Sequence, residues 1–227
     1  MEVFPSEAGA RRSATVGFMM DRISTTPADA AKQRTFYESE EKEAAEKPDG
    51  LVARMLETRT ILVSGQVDEK LAERTISQLL ILNSVCHDPI RVVITSQGGH
   101  VDSGFAIHDM MRFVESPILT IGAGWVASIG VPILLAAEKD CRYSLPNTRF
   151  LLHQPSGGAG GQASDIRIAA EEILKLRERI NAMVARETGQ SHERIETDSD
   201  RNFWMNADEA LDYGLISKIV SSAQEIG

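Results

Sequence analysis

The sequence predicts an α/β protein built on a parallel sheet. Apolar, β-branched runs begin near residues 60, 90, 117 and 148, at intervals of about 30 residues, the length of a strand–helix–strand unit. The runs are continuous rather than alternating, which predicts strands buried on both faces. The stretches between them carry a helical apolar period, so the units follow one another by right-handed crossovers.

Taken in order, residues 1–50 stand apart. The stretch "STTPADAAKQRTFYESEEKEAAEKPDG" is rich in charge, Ala and Ser and poor in large aliphatics, so it buries too little to offset its ordering entropy and reads as a disordered, charged tail before a domain spanning 51–227. Pro48-Asp49-Gly50 marks the boundary. "TILVSG" (60–65) is the first strand, and "DEKLAERTISQLLILNSVC" (68–86) a helix with Asp68 as N-cap and Leu71, Ile76, Leu79 and Leu80 inward. "IRVVITS" (90–96) is a strand, 103–116 a helix, 117–124 a strand, 127–138 a helix and 148–154 a strand. A long helix over 165–187 is capped by Ser164 and stopped by Gly189. Its apolar residues Ile166, Ala169, Ile173, Leu176, Ile180 and Met183 form a narrow stripe, suited either to its own domain or to a second subunit. Asn206 with Glu209 is a capping box, opening a short helix stopped at Gly214 before a closing strand.

The bulk numbers exclude several classes. A net charge of −9 without a Lys/Arg cluster argues against nucleic acid. No apolar run approaches the ~20 residues that span a bilayer. Arg11 and Arg12 precede a stretch too short and mixed for an export signal, and Met19 and Met20 are alternative starts. Two spaced cysteines, Cys86 and Cys141, fit a reducing compartment and a cytoplasmic protein.

The chemistry concentrates at one serine. Ser128 lies in "AGWVASIGVP", where a buried strand turns into a helix, so its hydroxyl sits near backbone N–H groups, as a nucleophile with an oxyanion hole requires. The pattern is not GxSxG, because residue 126 is Val. His153 ends a strand, where side chains of α/β sheets meet a cleft. Taken alone, each residue is more often structural than catalytic. The five histidines show no metal-ligand spacing, and the Gly-rich 156–162 lacks the GK[ST] of a phosphate loop, so neither metal nor cofactor is expected.

"ITSQGGHVDSG", "GWVASIG", "LPNTRFLLHQPSGGAGGQASDI" and "NADEALDYGLI", in unbroken order across roughly 51–220, resemble the proteolytic subunits of the Clp proteases, the ClpP family. The resemblance implies the ClpP/crotonase-like fold, a spiral of repeated ββα units with a protruding handle helix over 165–187 that joins two rings. It implies an ATP-dependent serine endopeptidase whose active sites are enclosed by two stacked seven-membered rings, cutting unfolded polypeptides fed by an AAA+ unfoldase. Residue by residue, Ser128 matches the nucleophile and His153 the general base; the backbone N–H groups of Gly99 and Ile129 match the oxyanion hole. Gly98, Gly99, His100 and Val101 on one side, and Ser156, Gly157 and Gly158 on the other, match the segments that hold extended substrate. Val93, Phe113 and Ile121 fall near the unfoldase-docking pocket, and are equally ordinary core types.

The sequence departs from the family at three places. Gln97 replaces a proline, the N-terminal tail is longer, and Asn202 of "DSDRNFW" stands where the family has the triad aspartate. An asparagine orients the imidazole but brings no charge to the imidazolium, which predicts a weakened triad Ser128–His153–Asn202, with Asp198 or Asp200 as lesser substitutes. The same departure raises an alternative: a structural or regulatory subunit, in a homomeric or mixed ring, with little activity alone. A hydratase on the shared fold leaves Ser128 and His153 without a role and lacks a placed acidic pair.

Overall fold

The computed structural model describes residues 50–158 and 160–226. The charged tail over 1–49 lies outside the described residues. Helix α1 (Gly50–Glu57) leads into β1 (Thr60–Val67), α2 (Glu69–Val85), β2 (Ile90–Gly99), α3 (Val101–Phe113), β3 (Ile118–Ala127) and α4 (Gly130–Leu134). Then follow β4 (Arg142–Ser144), β5 (Arg149–Leu152), α5 (Ala163–Thr188), α6 (His192–Ser199), β6 (Phe203–Met205), α7 (Ala207–Tyr213) and β7 (Lys218–Ile219). The sheet runs β1-β2-β3-β4-β7, all parallel. This is the α/β architecture read from the 30-residue spacing.

Strand β3 has two partners along one edge. Its first half pairs with β4 (Thr120–Arg142 to Gly122–Ser144) and its second half with β5 (Trp125–Arg149 to Ala127–Leu151). The change of partner falls at Gly122, whose carbonyl accepts from Leu145 N (2.9 Å) and Thr148 Oγ1 (3.0 Å), and at Gly124, which takes a left-handed φ of +66°. Strand β6 then adds antiparallel to β5, with Leu152 opposite Phe203. Three strand ends therefore converge: those of β3 and β5, and the start of β6.

Several expectations are corrected. Strands β1 and β2 bury alternate residues rather than every residue, because the core side chains Ile61, Val63, Val92 and Ile94 lie on the face that the helices cover. The opposite face carries the register row Leu62–Val93–Ile121. In α2, Asp68 caps as predicted (Leu71 N to Oδ1, 2.8 Å), but Thr75 and Gln78 point inward and Leu80 outward, since the strict 3.6 period selects 71, 75, 78 and 82. Helix α4 has only five residues because pairing with β5 keeps the chain extended to Ala127. Gln162, not Ser164, is the N-cap of α5. The capping box at Asn206–Glu209 and the left-handed stops at Gly189 and Gly214 form as read.

Helix α5 is the protruding helix. Of its 26 residues only Asn181, Met183, Val184 and Thr188 are buried, all in the last third, while Ile166, Ile168 and Leu174 are exposed. Its base is fastened by Arg142, which is 1% exposed. The guanidinium donates to Ala137 O (2.8 Å), Leu135 O (3.1 Å) and Glu187 O (3.0 Å), and pairs with the Glu187 carboxylate. Burial pushes the Glu187 carboxyl up, but hydrogen bonds from Arg142 and Arg186 outweigh this and hold it below its ordinary value.

Nearby, His108 is 4% exposed, with Nδ1 2.8 Å from Asp109 Oδ1 and Nε2 buried without a partner. Burial lowers its pKa from 6.5, partly offset by the Asp109 hydrogen bond and charge. A folded-state pKa below the unfolded one contributes stability that is fully present above pH 6.5 and lost as pH falls through the folded value. The urea midpoint of the chain should therefore drop on acidification below pH 6.5, and His108→Gln should flatten that dependence; an unchanged slope in the variant would contradict the assignment.

Candidate active site

Ser128 sits at the tip of β3, in a turn that few side chains adopt. Its φ is +55°, one of two positive values at non-glycine residues among those described. Rather than opening the helix, as the sequence predicted, Ser128 precedes it: Ile129 is the N-cap and α4 starts at Gly130. The turn is held from two sides. Ser128 N donates to Leu151 O on β5 (3.0 Å), and Val131 N to Ser128 O (3.0 Å). Such strained serines cost on the order of 1–3 kcal/mol and persist where the surroundings over-determine them.

The glycine pair Gly98–Gly99 presses against this turn. A Cβ on Gly98 would lie 2.6 Å from Ser128 Cβ and 2.8 Å from Ala127 O, and Gly98 has φ +89°. Ser96, fully buried, braces the pair: its hydroxyl donates to Gly65 O (2.5 Å) and accepts from Gly98 N (3.0 Å). His100 N donates to Val67 O (2.8 Å), and Val67 lies opposite Gly99. In a parallel ladder a residue bonds to the two neighbours of its partner. The Gly99 N–H therefore points away from β1, where β3 has already left the ladder at Ser96–Val126. The Ile129 N–H also has no hydrogen-bond partner among the described residues. Both amides singled out in the sequence are thus spare donors at the edge of the serine turn.

His153 follows β5 directly and lines one apolar cavity together with Ser128, walled by Val101, Ile129, Pro132, Leu152, Ile180 and Val184. No hydrogen bond joins Ser128 Oγ to His153 among the described residues. On its other side, His153 Nδ1 lies 3.2 Å from Asn202 Oδ1. The two candidate substitutes are engaged elsewhere. Asp198 Oδ2 accepts from the Tyr213 hydroxyl (2.9 Å) and meets Arg194 Nε (3.4 Å), and Asp200 Oδ1 lies 3.7 Å from Arg177. Gln154 fixes the loop that carries Asn202: its N–H donates to Ser199 O (2.7 Å) and its Nε2 to Asp200 O (2.8 Å).

The segments that the resemblance matched to substrate binding are less regular than it implies. Gly98 and Gly99 end β2, but His100 is the N-cap of α3 and Val101 its first residue, because the ladder with β1 stops at Gly99. Ser156, Gly157 and Gly158 are exposed and belong to no strand. Sequence reasoning missed Ser96, Gln154 and the buried pair Ser199–Asn181 (3.2 Å) at the cavity's inner end. A lone serine before two glycines at the end of an apolar strand was the signal for Ser96. Among the described residues no group of three or more His, Cys, Asp or Glu gathers to hold a metal, and no helix is long and apolar enough to cross a membrane.

Gly98→Ala should destabilise the chain by about 1–3 kcal/mol and slow phosphonylation of Ser128, read by urea denaturation and probe kinetics. Unchanged labelling kinetics would show that the glycine does not shape the serine turn.

Comparison with known proteins agrees with this geometry. The sequence profile of the Clp protease family matches residues 43–223. The ATP-dependent Clp protease proteolytic subunit 3 of Rhizobium etli is 49% identical over 174 residues, covering 77% of this chain and 90% of the relative. Proteolytic subunit 2 of Pseudomonas aeruginosa is 50% identical over 176 residues, covering 78% and 88%. Among solved structures, an asparagine-to-aspartate variant of ClpP1 from Listeria monocytogenes superposes with a TM-score of 0.73 at 46% identity, over 78% of this chain and 99% of that one. The unsubstituted Listeria ClpP1 gives 0.71 at the same identity and coverage. With its parallel sheet, protruding helix and serine turn, the chain belongs to the Clp protease family.

Proposed function

We propose that this peptidase works by serine chemistry as a proteolytic subunit of a Clp protease, with Ser128 as nucleophile, His153 as base and Asn202 as the group that orients the base. The observation that carries this reading is the left-handed Ser128 sharing a cavity with His153, whose far nitrogen meets Asn202 Oδ1 at 3.2 Å. A peptide lying along Gly98 and Gly99 presents its carbonyl carbon to Ser128 Oγ. As the bond forms, His153 Nε2 takes the hydroxyl proton and the carbonyl oxygen becomes an anion between the Gly99 and Ile129 amides. The imidazolium hands the proton to the leaving amine, and water, activated by the same nitrogen, frees the acyl group. Backbone edges at Gly98–Gly99 and Ser156–Gly157 suit extended, unfolded chains with little further selectivity.

Asn202 sets the rate. A neutral amide does not stabilise the imidazolium, and the corresponding exchange in serine proteases lowers turnover on the order of 10⁴-fold.

The exposed apolar side chains Ile166, Ile168 and Leu174 support ring stacking through α5. The exposed Phe113 (76%) and the half-buried Val93 beside Leu62 are compatible with unfoldase docking; Ile121, 8% exposed, is buried.

A fluorophosphonate probe should label Ser128 in the assembled protein and fail on Ser128→Ala; no labelling of the native chain in any assembly state would defeat the serine reading. Asn202→Asp should raise the acylation rate by about tenfold or more, measured with a fluorogenic peptide, within the ~10⁴-fold bound. An unchanged or slower rate would show that residue 202 does not serve the base.

A further inference from the structure

A carboxylate offers an imidazole the same oxygen-lined face after a half-turn; a carboxamide does not. With Asn202 Oδ1 at 3.2 Å from His153 Nδ1, the ring carries its hydrogen on Nδ1 and keeps a lone pair on Nε2 for the Ser128 proton. Turned by half, the amide would present its NH₂ group instead. The ring would then accept at Nδ1 and hold its single hydrogen on Nε2, leaving nothing to receive the serine proton. The exchange moves one hydrogen between the two ring nitrogens through solvent and changes no net charge.

Little in the fold selects between these settings. Asn202 is solvent-exposed, and its amide nitrogen makes no hydrogen bond among the described residues. The backbone around it is pinned by Gln154 and by the Leu152–Phe203 pair, but the carboxamide is not. The nearby carboxylate of Asp198 is engaged by Tyr213 and Arg194, and that of Asp200 lies beside Arg177. Water satisfies the free end of the amide in either orientation, and the contact to the ring is a neutral hydrogen bond in both.

Building on the serine–histidine reading, we propose that His153 exchanges between two neutral tautomers, that the orientation of the Asn202 carboxamide selects between them, and that only the setting with Oδ1 toward Nδ1–H activates Ser128. Asn202 is then a positioning residue with an off position, which an aspartate at the same place would lack.

The test is solid-state NMR on the full assembled chain labelled with ¹³C,¹⁵N-histidine, about two pH units above the ordinary imidazole pKa. Subtracting the spectrum of His153→Gln isolates the ring of interest. The native chain should show two sets of His153 signals, one with the hydrogen on each nitrogen, and Asn202→Asp should lose the Nε2–H set. A single set in the native chain overturns the proposal, as does persistence of both sets in Asn202→Asp. Fluorophosphonate labelling of the same sample separates the two claims. Labelled Ser128 with a single tautomer overturns the exchange and leaves the serine reading standing; an unlabelled Ser128 removes both.

Discussion

The site depends on one strand having two partners. If β3 paired with β4 along its whole length, its tip would end in the main sheet, remote from β5. Instead the ladder passes from β4 to β5 at Gly122–Gly124, and the Thr148 hydroxyl, itself buried, holds the junction by donating to Gly122 O. The second half of β3 then runs beside β5, and the turn at Ser128 is tied to Leu151 O, two residues before His153. Ser128 and His153 are neighbours because their strands are neighbours. A site built on paired strand ends is more exactly held than one built on two loops.

The same economy governs the groups around the pair. Ser96 converts the bulge at Gly65 and the glycine pair into a fixed shelf, so that two spare amides stand at the serine turn without any side chain to place them. Gln154 serves His153 from the other side, holding the loop of Asn202 through two carbonyls. What the fold does not supply is charge. The acids close to His153 are engaged by Tyr213, Arg194 and Arg177, and the residue that meets its imidazole is neutral. Under the proposed mechanism the backbone donors are in place while the charge beside the imidazole is missing.

Much of this was legible in the sequence, for identifiable reasons. Strand spacing gave the sheet, since each unit must bury its own apolar run. Asp68, Asn206, Gly189 and Gly214 were readable as caps because capping is local chemistry. Ser128 and His153 were singled out at strand ends, and the resemblance alone added Asn202 and brought the three together. What escaped was tertiary. The division of β3 between two partners leaves no periodic trace, so the helix after Ser128 was drawn too long and the short strands β4 and β6 were missed. Arg142 carries no signal in the sequence, yet it is buried at the base of α5, because its guanidinium joins the nearby carbonyls of Leu135 and Ala137 to Glu187, 45 residues further along the chain. The inward turn of Thr75 and Gln78 and the outward turn of Leu80 reversed a simple hydrophobicity ranking, because helical phase decides the face.

The most direct test is the structure of the assembled full chain after reaction with a peptidyl phosphonate, whose tetrahedral phosphorus stands for the attacked carbonyl. The account predicts phosphorus bonded to Ser128 Oγ, its oxygen accepting from the Gly99 and Ile129 amides, and His153 Nε2 within hydrogen-bond reach of the adduct. Phosphorus on another residue, or His153 Nε2 out of reach of a fully occupied Ser128, would contradict it.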